Sequence, residues 1–441
     1  MNDEALLDRI WTELGGGERP PIALSGPTRC LPSRYEVSEL ATASIAAATC
    51  AVAELHASRT GQSLPAARLD RAHASVAFRS EHHLAALGWT LPSAWDPLAG
   101  DYRTKDGWIR VHTNYTYHRD AALRALGAPP SRADVARAVA TWSSEDLESA
   151  VVSAGGCAAR LRTAAEWAAH PQGAAVAGEP LVATTVYGEA PALGASRLPL
   201  EGVRVLDLTR VIAGPVCTRV LAAYGAEVLR LDPPGFAEVE RLLPEVTAGK
   251  RRAFLDLRAS RDRFEALVRD AHVLVHGFRR DALERVGLGH TRLRELRPDL
   301  VDASLDAYGW TGPWRDRRGF DSLVQMSTGI AAGRDAPSPL PAQALDHGTG
   351  YLLAAAVCRA LARRCAAEVR LSLSRTAKLL TDLGEVTPAS TGELDAAPWC
   401  EEATSAFGPI RRVRCPGSID GIDPRWTIDA GPLGVDAATW A

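Results

Sequence analysis

The clearest succession of apolar and polar positions lies between residues 201 and 235. A short apolar run, Val203–Leu208, is rich in aliphatic side chains and predicts a buried parallel strand. Apolar residues then recur at helical spacing over Val216–Tyr224, and a second short apolar run, Glu227–Leu231, predicts another strand. The pattern therefore predicts a strand, turn, helix and strand, in which the start of the helix is suited to receive a ligand.

A dinucleotide site would place G-x-G-x-x-G in this turn and an acidic residue at the end of the second strand. Asp232 has the position of that acidic residue, but the turn Thr209–Pro215 contains a single glycine, followed by proline. The turn therefore disfavours a nicotinamide dinucleotide as the ligand.

The rest of the chain alternates predicted helices with short strands. The region 96–111 predicts two strands joined by a Lys-Asp-Gly turn. The tail after Leu380 has a loop-like composition, with strand patterns only at Ile410–Cys415 and Trp426–Ile428. The predicted helices outside the central unit are Leu6–Leu14, the alanine-rich Ser38–Leu55, Tyr117–Leu126, Arg132–Thr141 and Ser144–Ala154.

Composition limits the classes of function. The 441 residues suffice for two domains, and 46% hydrophobic with 23% charged residues is typical of a soluble globular protein. A net charge of -3 gives no reason to expect nucleic acid or an anionic membrane as partner. The 8 cysteines form no C-x-x-C pair, so we expect no metal. No signal-peptide pattern opens the chain, and a cytoplasmic location is expected.

Several short motifs occur in a fixed order through the second half of the chain. They begin with Leu200–Pro215 and continue with Gly249–Arg251, Ala271–Val275, Leu283–Gly289 and Tyr308–Pro313. Each motif alone is weak, but their ordered succession closely resembles the class III CoA-transferase family, the CaiB/BaiF group.

Other segments resemble the same family in an unusual order. Glu166–Pro171 is similar to a motif that lies late in ordinary members, and the alanine-rich segments Ala46–Cys50 and Ala354–Cys358 resemble one another, although chance similarity of alanine-rich helices is the alternative. The resemblance implies that the two halves are swapped, with their join at Tyr187–Leu198. We therefore predict three parts: 1–197, with the small domain and linker; 198–385, the CoA-binding domain; and 386–441, a loop-rich tail.

The resemblance implies an α/β fold, with a Rossmann-like parallel sheet domain and a smaller α+β domain. It also implies a homodimer that moves CoA, as a substrate, from an acyl-CoA thioester to a free carboxylic acid through an aspartyl anhydride and an aspartyl thioester. A silent CoA-binding or scaffold protein is the alternative, because Pro233 and Asp306 replace basic CoA contacts. An acyl-CoA racemase is a third, disfavoured because Phe320 replaces its catalytic histidine.

Two aspartates are candidates for the attacking carboxylate. Asp335 best matches the family position by its place before a proline-rich loop, although such an aspartate is often a turn former. Asp346 begins a D-x-x-x-G motif and matches a catalytic aspartate of related racemases, although capping of a helix beginning at Gly348 would also explain it. The resemblance further implies CoA contacts from Val211, Ile212, Ala213, Leu255, Arg258, Phe278, Arg285 and Tyr308.

Overall fold

Strands and helices alternate through most of the computed structural model, which describes residues 3–388 and 394–441. The strands are β1 (Ile22–Ser25), β2 (Ala67–Asp70), β3 (Ala85–Ala86), β4 (Gly100–Arg103), β5 (Trp108–His112), β6 (Cys157–Arg160), β7 (Ala183–Glu189), β8 (Arg204–Leu208), β9 (Glu227–Asp232), β10 (Lys250–Phe254), β11 (Val273–His276), β12 (Val301–Asp306), β13 (Cys365–Ser372), β14 (Cys400–Ala403), β15 (Ile410–Val413) and β16 (Ser418–Ile419).

The helices cover the sheet faces and connect the smaller sheets. They are α1 (Asp3–Glu13), α2 (Val37–Thr60), α3 (Arg71–Ala77), α4 (Ser80–His83), α5 (Thr116–Leu126), α6 (Arg132–Val139), α7 (Ser144–Ser153), α8 (Ala164–Ala169), α9 (Pro171–Ala177), α10 (Ala213–Ala223), α11 (Leu243–Val246), α12 (Arg261–Asp270), α13 (His290–Leu296), α14 (Asp321–Thr328), α15 (Ala344–Ala362) and α16 (Leu373–Thr381).

The central sheet has seven strands in the order β10-β9-β8-β11-β12-β13-β7. Six of them are parallel, and β7 pairs with β13 in the antiparallel direction. From β8 the chain proceeds to β9 and β10 on one side and then returns to β11 on the other. The strand order therefore reverses between β8 and β11, which is where open α/β sheets form a ligand crevice. The expected α/β fold class is confirmed.

A smaller α+β unit lies within the first half of the chain. The hairpin β4–β5 and strand β6 form an antiparallel sheet, which buries its apolar side chains against α5, α6 and α7. The hairpin that the sequence predicts at 96–111 is thus present. Helix α14, from the second half, packs against β5 and β6. The unit is therefore joined to the central sheet domain by direct packing.

The helix–strand–helix order α2-β2-α3 recurs as α15-β13-α16, and α2 packs along α15. In both copies the last strand residue caps the following short helix: the Asp70 side chain accepts from the backbone N–H groups of Ala72 and His73, and Ser372 accepts from that of Arg375. By length and composition α2 could cross a membrane, but 89% of its apolar window is buried inside the protein. Its small side chains therefore serve close helix packing in the core.

The structure differs from the predicted strands and connection at three places. The segment Trp426–Ile428 is not a strand; the Trp426 indole N–H instead donates to the Arg219 carbonyl at 2.9 Å. The segment before α2, for which the sequence analysis gives no strand, contains β1, which pairs with β2. The first part of the expected join, up to Glu189, belongs to edge strand β7. The exposed connection begins only after that strand.

Cleavage of the connection 190–196 should leave both halves of the chain associated. Strand β7 would stay in the N-terminal fragment but remain paired with β13, and α2 would remain packed on α15. A recognition sequence for a site-specific protease, inserted between Leu193 and Gly194, allows the cut. We expect the two fragments to co-elute in size-exclusion chromatography, like the uncut insertion variant. Fragments that separate and stay folded would show two independent domains instead.

Candidate functional site

Two cavities meet at the reversal of strand order. The first, which we call the crevice cavity, has a volume of about 350 Å³ and lies at the carboxyl ends of β8, β11 and β12. Its walls include the turn 208–214 between β8 and α10, together with residues 277–279 and 305–307. Because the chain segments that follow three parallel strands meet here, the cavity has the position expected of a ligand crevice.

The second cavity, which we call the inner cavity, has a volume of about 340 Å³ and is lined by both halves of the chain. Arg79, Glu81 and Trp95 come from the first half, and Arg241 and Leu340 from the second. Residues that line both cavities mark the junction between them; they are Tyr115, Val211, Ile212, Phe320 and Asp346.

Asp346 is the carboxylate at this junction. It lies in the first turn of α15, is 7% exposed, and its carboxyl group has no hydrogen-bond partner among residues 3–388 and 394–441. The helix begins at Ala344 rather than Gly348, and Asp321 caps it: Asp321 Oδ2 accepts from the N–H of Leu345 at 2.8 Å and that of Asp346 at 3.0 Å. The capping role considered for Asp346 is therefore wrong.

The glycine of the D-x-x-x-G motif explains how Asp346 reaches the crevice. A Cβ atom at Gly350 would lie 2.4 Å from the Ala213 carbonyl oxygen and 2.8 Å from Val216 Cβ. Such distances are too short for any larger residue, so Gly350 allows α15 to pack directly on the start of α10. One turn earlier on α15, this close packing places Asp346 beside the turn 208–214.

Burial and neighbouring carboxylates control the charge of Asp346. Burial raises its pKa well above the usual range, and the charges of Asp321 and Glu81 raise it further. Burial also raises the pKa of Asp321, to about 6. Glu81 is different: burial alone would raise its pKa, but His347, whose Nε2 lies 2.9 Å from Glu81 Oε2, lowers it. Ionised Asp346 is thus a high-energy group in a site with little solvent.

Phe320, which the sequence resemblance matches to the catalytic histidine of racemases, lines both cavities. Its ring stacks on the imidazole of His112, with 3.7 Å between centroids and 4° between planes. Burial, aided by the charge of His118, lowers the pKa of His112 to about 3, so this histidine is neutral at physiological pH. Phe320 therefore contributes an apolar wall at the junction and has no proton to exchange.

The turn between β8 and α10 contains a strained residue. Val211 has φ 64°, a left-handed conformation that is rare for a β-branched side chain. Its N–H donates to Glu238 Oε2 at 3.3 Å, and Glu238 also pairs with buried Arg230 at 2.9 Å and accepts from the Tyr115 hydroxyl at 2.8 Å. This buried network fixes the turn against the first half of the chain. Strain held in place in this way is typical of functional sites.

The structure brings some of the predicted CoA contacts together and leaves others apart. Val211, Ile212, Ala213 and Phe278 line the crevice cavity. Leu255 and Tyr308 are buried, and the Tyr308 hydroxyl hydrogen-bonds the Ser327 hydroxyl at 3.1 Å.

Three predicted charged residues line neither cavity. Arg258 is exposed, and Arg285 pairs with Asp281 at 2.6 Å. Asp335 lies on an exposed turn, where its carbonyl accepts from the Trp108 indole at 3.3 Å. Their roles in CoA binding and catalysis remain predictions.

Sequence analysis missed a set of arginines in the crevice cavity. Arg210 lies two residues after β8 and Arg279 three residues after β11, and this position after a strand was the available signal. Arg317 pairs with Glu148 at 3.0 Å and Arg210 with Asp232 at 3.5 Å, whereas Arg279 has no carboxylate partner in the described part of the chain. The arginines lining this cavity are Arg210, Arg279, Arg315, Arg317 and Arg318.

Comparison with known proteins finds relatives of the second half of the chain. Residues 200–384 match the model of CoA-transferase family III. A probable fatty acyl-CoA transferase of Mycobacterium tuberculosis, Rv3272, is 35% identical over 186 residues, which are 38% of this chain and 47% of that protein. Formyl-CoA:oxalate CoA-transferase of Rhodopseudomonas palustris is 33% identical over 183 residues, 37% of this chain and 43% of that protein.

The crystal structure of Rv3272 matches with a TM-score of 0.40 at 32% identity, covering 42% of this chain and 57% of that one. The matched residues span less than half the length of each of the two curated relatives named above. The matched region contains the turn 208–214, the D-x-x-x-G motif and the central parallel strands that form the crevice cavity. The match of residues 200–384 to CoA-transferase family III agrees with the resemblance that the ordered motifs indicated.

Proposed function

We propose that the chain transfers CoA between an acyl-CoA thioester and a free carboxylic acid, with Asp346 as the attacking carboxylate. The observation that carries the proposal is the position of Asp346, a buried carboxylate without a hydrogen-bond partner among the described residues, at the junction of an arginine-lined cavity and a second cavity. Of the two candidate aspartates, Asp335 lines neither cavity.

In this proposal the crevice cavity holds CoA. Arginine binds phosphate oxygens through a planar fork of donors, and Arg279 has no carboxylate partner in the described structure that would compete. Asp306, which also lines this cavity, repels phosphate less than an ordinary aspartate would, because burial raises its pKa well above the usual range. This argues against loss of CoA binding, the premise of the silent-scaffold alternative.

The reaction follows from a carboxylate beside the thioester. One Asp346 oxygen attacks the thioester carbonyl carbon, the C–S bond breaks and CoA leaves as thiolate, which gives a mixed anhydride. The thiolate then attacks the aspartyl carbonyl and releases the first acid, so that the enzyme carries CoA as a thioester. A second acid displaces this thiolate to form a new anhydride, and attack of the thiolate on the acyl carbon yields the new acyl-CoA and free Asp346.

Two features of the site favour these steps. Low solvent access and nearby carboxylates raise the energy of ionised Asp346, which makes it a better nucleophile than a hydrated carboxylate. Helix α10 begins at Ala213, and its positive end faces the crevice cavity, where it favours the negative charge that develops on the attacked carbonyl oxygen.

Trapping of the enzyme intermediate tests the proposal. The chain is incubated with pentanoyl-CoA and labelled pentanoate, and label entering the thioester reports transfer. Hydroxylamine added during turnover should convert the activated aspartyl group into a hydroxamate. Trypsin cleavage after Arg334 and Arg359 releases one peptide that carries both Asp335 and Asp346, and fragmentation of that peptide locates the modification.

Modification at Asp346 together with label exchange is the expected outcome. Modification at Asp335 would make that residue the nucleophile. CoA binding without exchange, with any of a panel of acyl-CoA and acid pairs, would favour the silent CoA-binding protein.

A further inference from the structure

The inner cavity contains two arginines that no acidic side chain neutralises. Arg79 follows α3 in the first half of the chain, and Arg241 lies before α11 in the second. Neither forms an ion pair with a carboxylate within residues 3–388 and 394–441. By contrast, Arg210, Arg315 and Arg317 of the crevice cavity each pair with a carboxylate. The charges of Arg79 and Arg241 are therefore available to an anionic ligand.

Their contacts leave binding capacity unused. The Nε atom of Arg79 is buried and has no hydrogen-bond partner in the described structure. Arg241 makes one long hydrogen bond, from a terminal nitrogen to the Pro92 carbonyl at 3.4 Å. A buried donor without a partner costs folding free energy, and an anionic ligand group that accepts its hydrogen bond would remove that cost.

The other polar groups of the cavity do not neutralise these arginines. Glu81 is engaged by His347 at 2.9 Å, and Asp321 accepts the N–H groups at the start of α15. Asp346 lies at the junction with the crevice cavity, where the thioester reacts in the proposed function. The wall also includes the apolar residues Val239, Leu242, Leu340 and Pro341.

We propose that the acid partner of the reaction is dianionic: one carboxylate reacts at Asp346, and a second anionic group, separated from it by a short carbon chain, binds Arg79 and Arg241. This inference rests on the proposed function and adds the class of acid. Arginine is suited to the second group because it binds a carboxylate through two parallel N–H···O bonds.

The test compares two acids of equal chain length, glutarate and pentanoate, each exchanging label with its own CoA thioester. The wild-type chain should exchange glutarate with a kcat/KM at least about tenfold above that for pentanoate, since a charge-assisted bidentate contact is worth that much. In the double variant Arg79→Gln/Arg241→Gln, the glutarate-to-pentanoate preference should fall by about tenfold or more. Dicarboxylic acids of four to eight carbons would define the chain length.

Arg137→Gln is the matched control, because Arg137 is 71% exposed and lines neither cavity; it should leave the preference unchanged. The inference would be overturned if the double variant kept the wild-type preference for glutarate. It would also be overturned if the wild type exchanged pentanoate better than every dicarboxylic acid of the series. Either result would leave the proposed CoA transfer intact.

If no acid is transferred, the proposed function fails and calorimetry decides the inference separately. Binding of a dicarboxylate by the wild type that the double variant loses would support the dianionic site. Absence of binding across the series would refute it.

Discussion

Asp346→Asn should reduce CoA transfer by about a thousandfold or more, because a carboxamide cannot form the anhydride on which the exchange depends. The measurement is label exchange between an acid and its CoA thioester, with calorimetry of CoA binding alongside. CoA affinity should change little, since the arginines of the crevice cavity are untouched. Asp335→Asn is the matched variant and should keep label exchange. If Asp335→Asn lost exchange while Asp346→Asn retained it, Asp335 would be the attacking carboxylate instead.

The same variant should be at least as stable as the wild type. Burial and the neighbouring carboxylates raise the pKa of Asp346 in the folded state, so ionising it at neutral pH costs folding free energy. The stabilisation from protonated Asp346 is complete below the pKa of an unfolded aspartate and is lost as pH rises through the folded-state pKa. An asparagine has no such cost, so its Tm should equal or exceed that of wild type at neutral pH. A large fall in Tm would instead show that loss of activity reflects unfolding.

The local elements of the fold could be predicted because their signals are local. The strand, turn, helix and strand of β8, α10 and β9 depend on apolar spacing within 201–235, and the structure has them with boundaries close to those predicted. Strands β1 and β16 were missed because they are short and both pair with the distant β2, whereas tail strand β15 was predicted within Ile410–Cys415. Pairing of this kind leaves little pattern in the sequence itself.

The candidate site was harder to predict than the fold. The family resemblance supplied both Asp335 and Asp346, but it could not show which carboxylate is buried against a cavity. The cap on α15 comes from Asp321, far away in sequence, so a local capping rule assigned it to the wrong residue. Arg79 and Glu81 reach the inner cavity from the other half of the chain, and no motif within 200–384 indicates them.

The buried pair Asp207–Lys250 lies beneath the turn that lines both cavities. Lys250 Nζ is 2.8 Å from Asp207 Oδ2 and 2.6 Å from the Thr218 hydroxyl, and both charged side chains are fully buried. Burial lowers the pKa of Lys250 to about 8, and Asp207 opposes that shift. Burial alone would raise the pKa of Asp207, but Lys250 and Arg230 lower it below the usual range. The pair links β8, α10 and β10 at the level of the crevice.

Lys250→Met should lower the free energy of unfolding by about 3–5 kcal/mol, because it leaves the Asp207 carboxylate buried without its cation. Denaturant unfolding at neutral pH measures the loss. Lys378→Met is the matched control: Lys378 is 35% exposed and pairs with Asp382 on the surface, so its loss should cost no more than about 1 kcal/mol. The double variant Asp207→Asn/Lys250→Met should recover part of the stability, since it removes the unpaired charge. Equal stability of Lys250→Met and wild type would show that the hydroxyl and N–H donors of Thr209 and Thr218 suffice for Asp207.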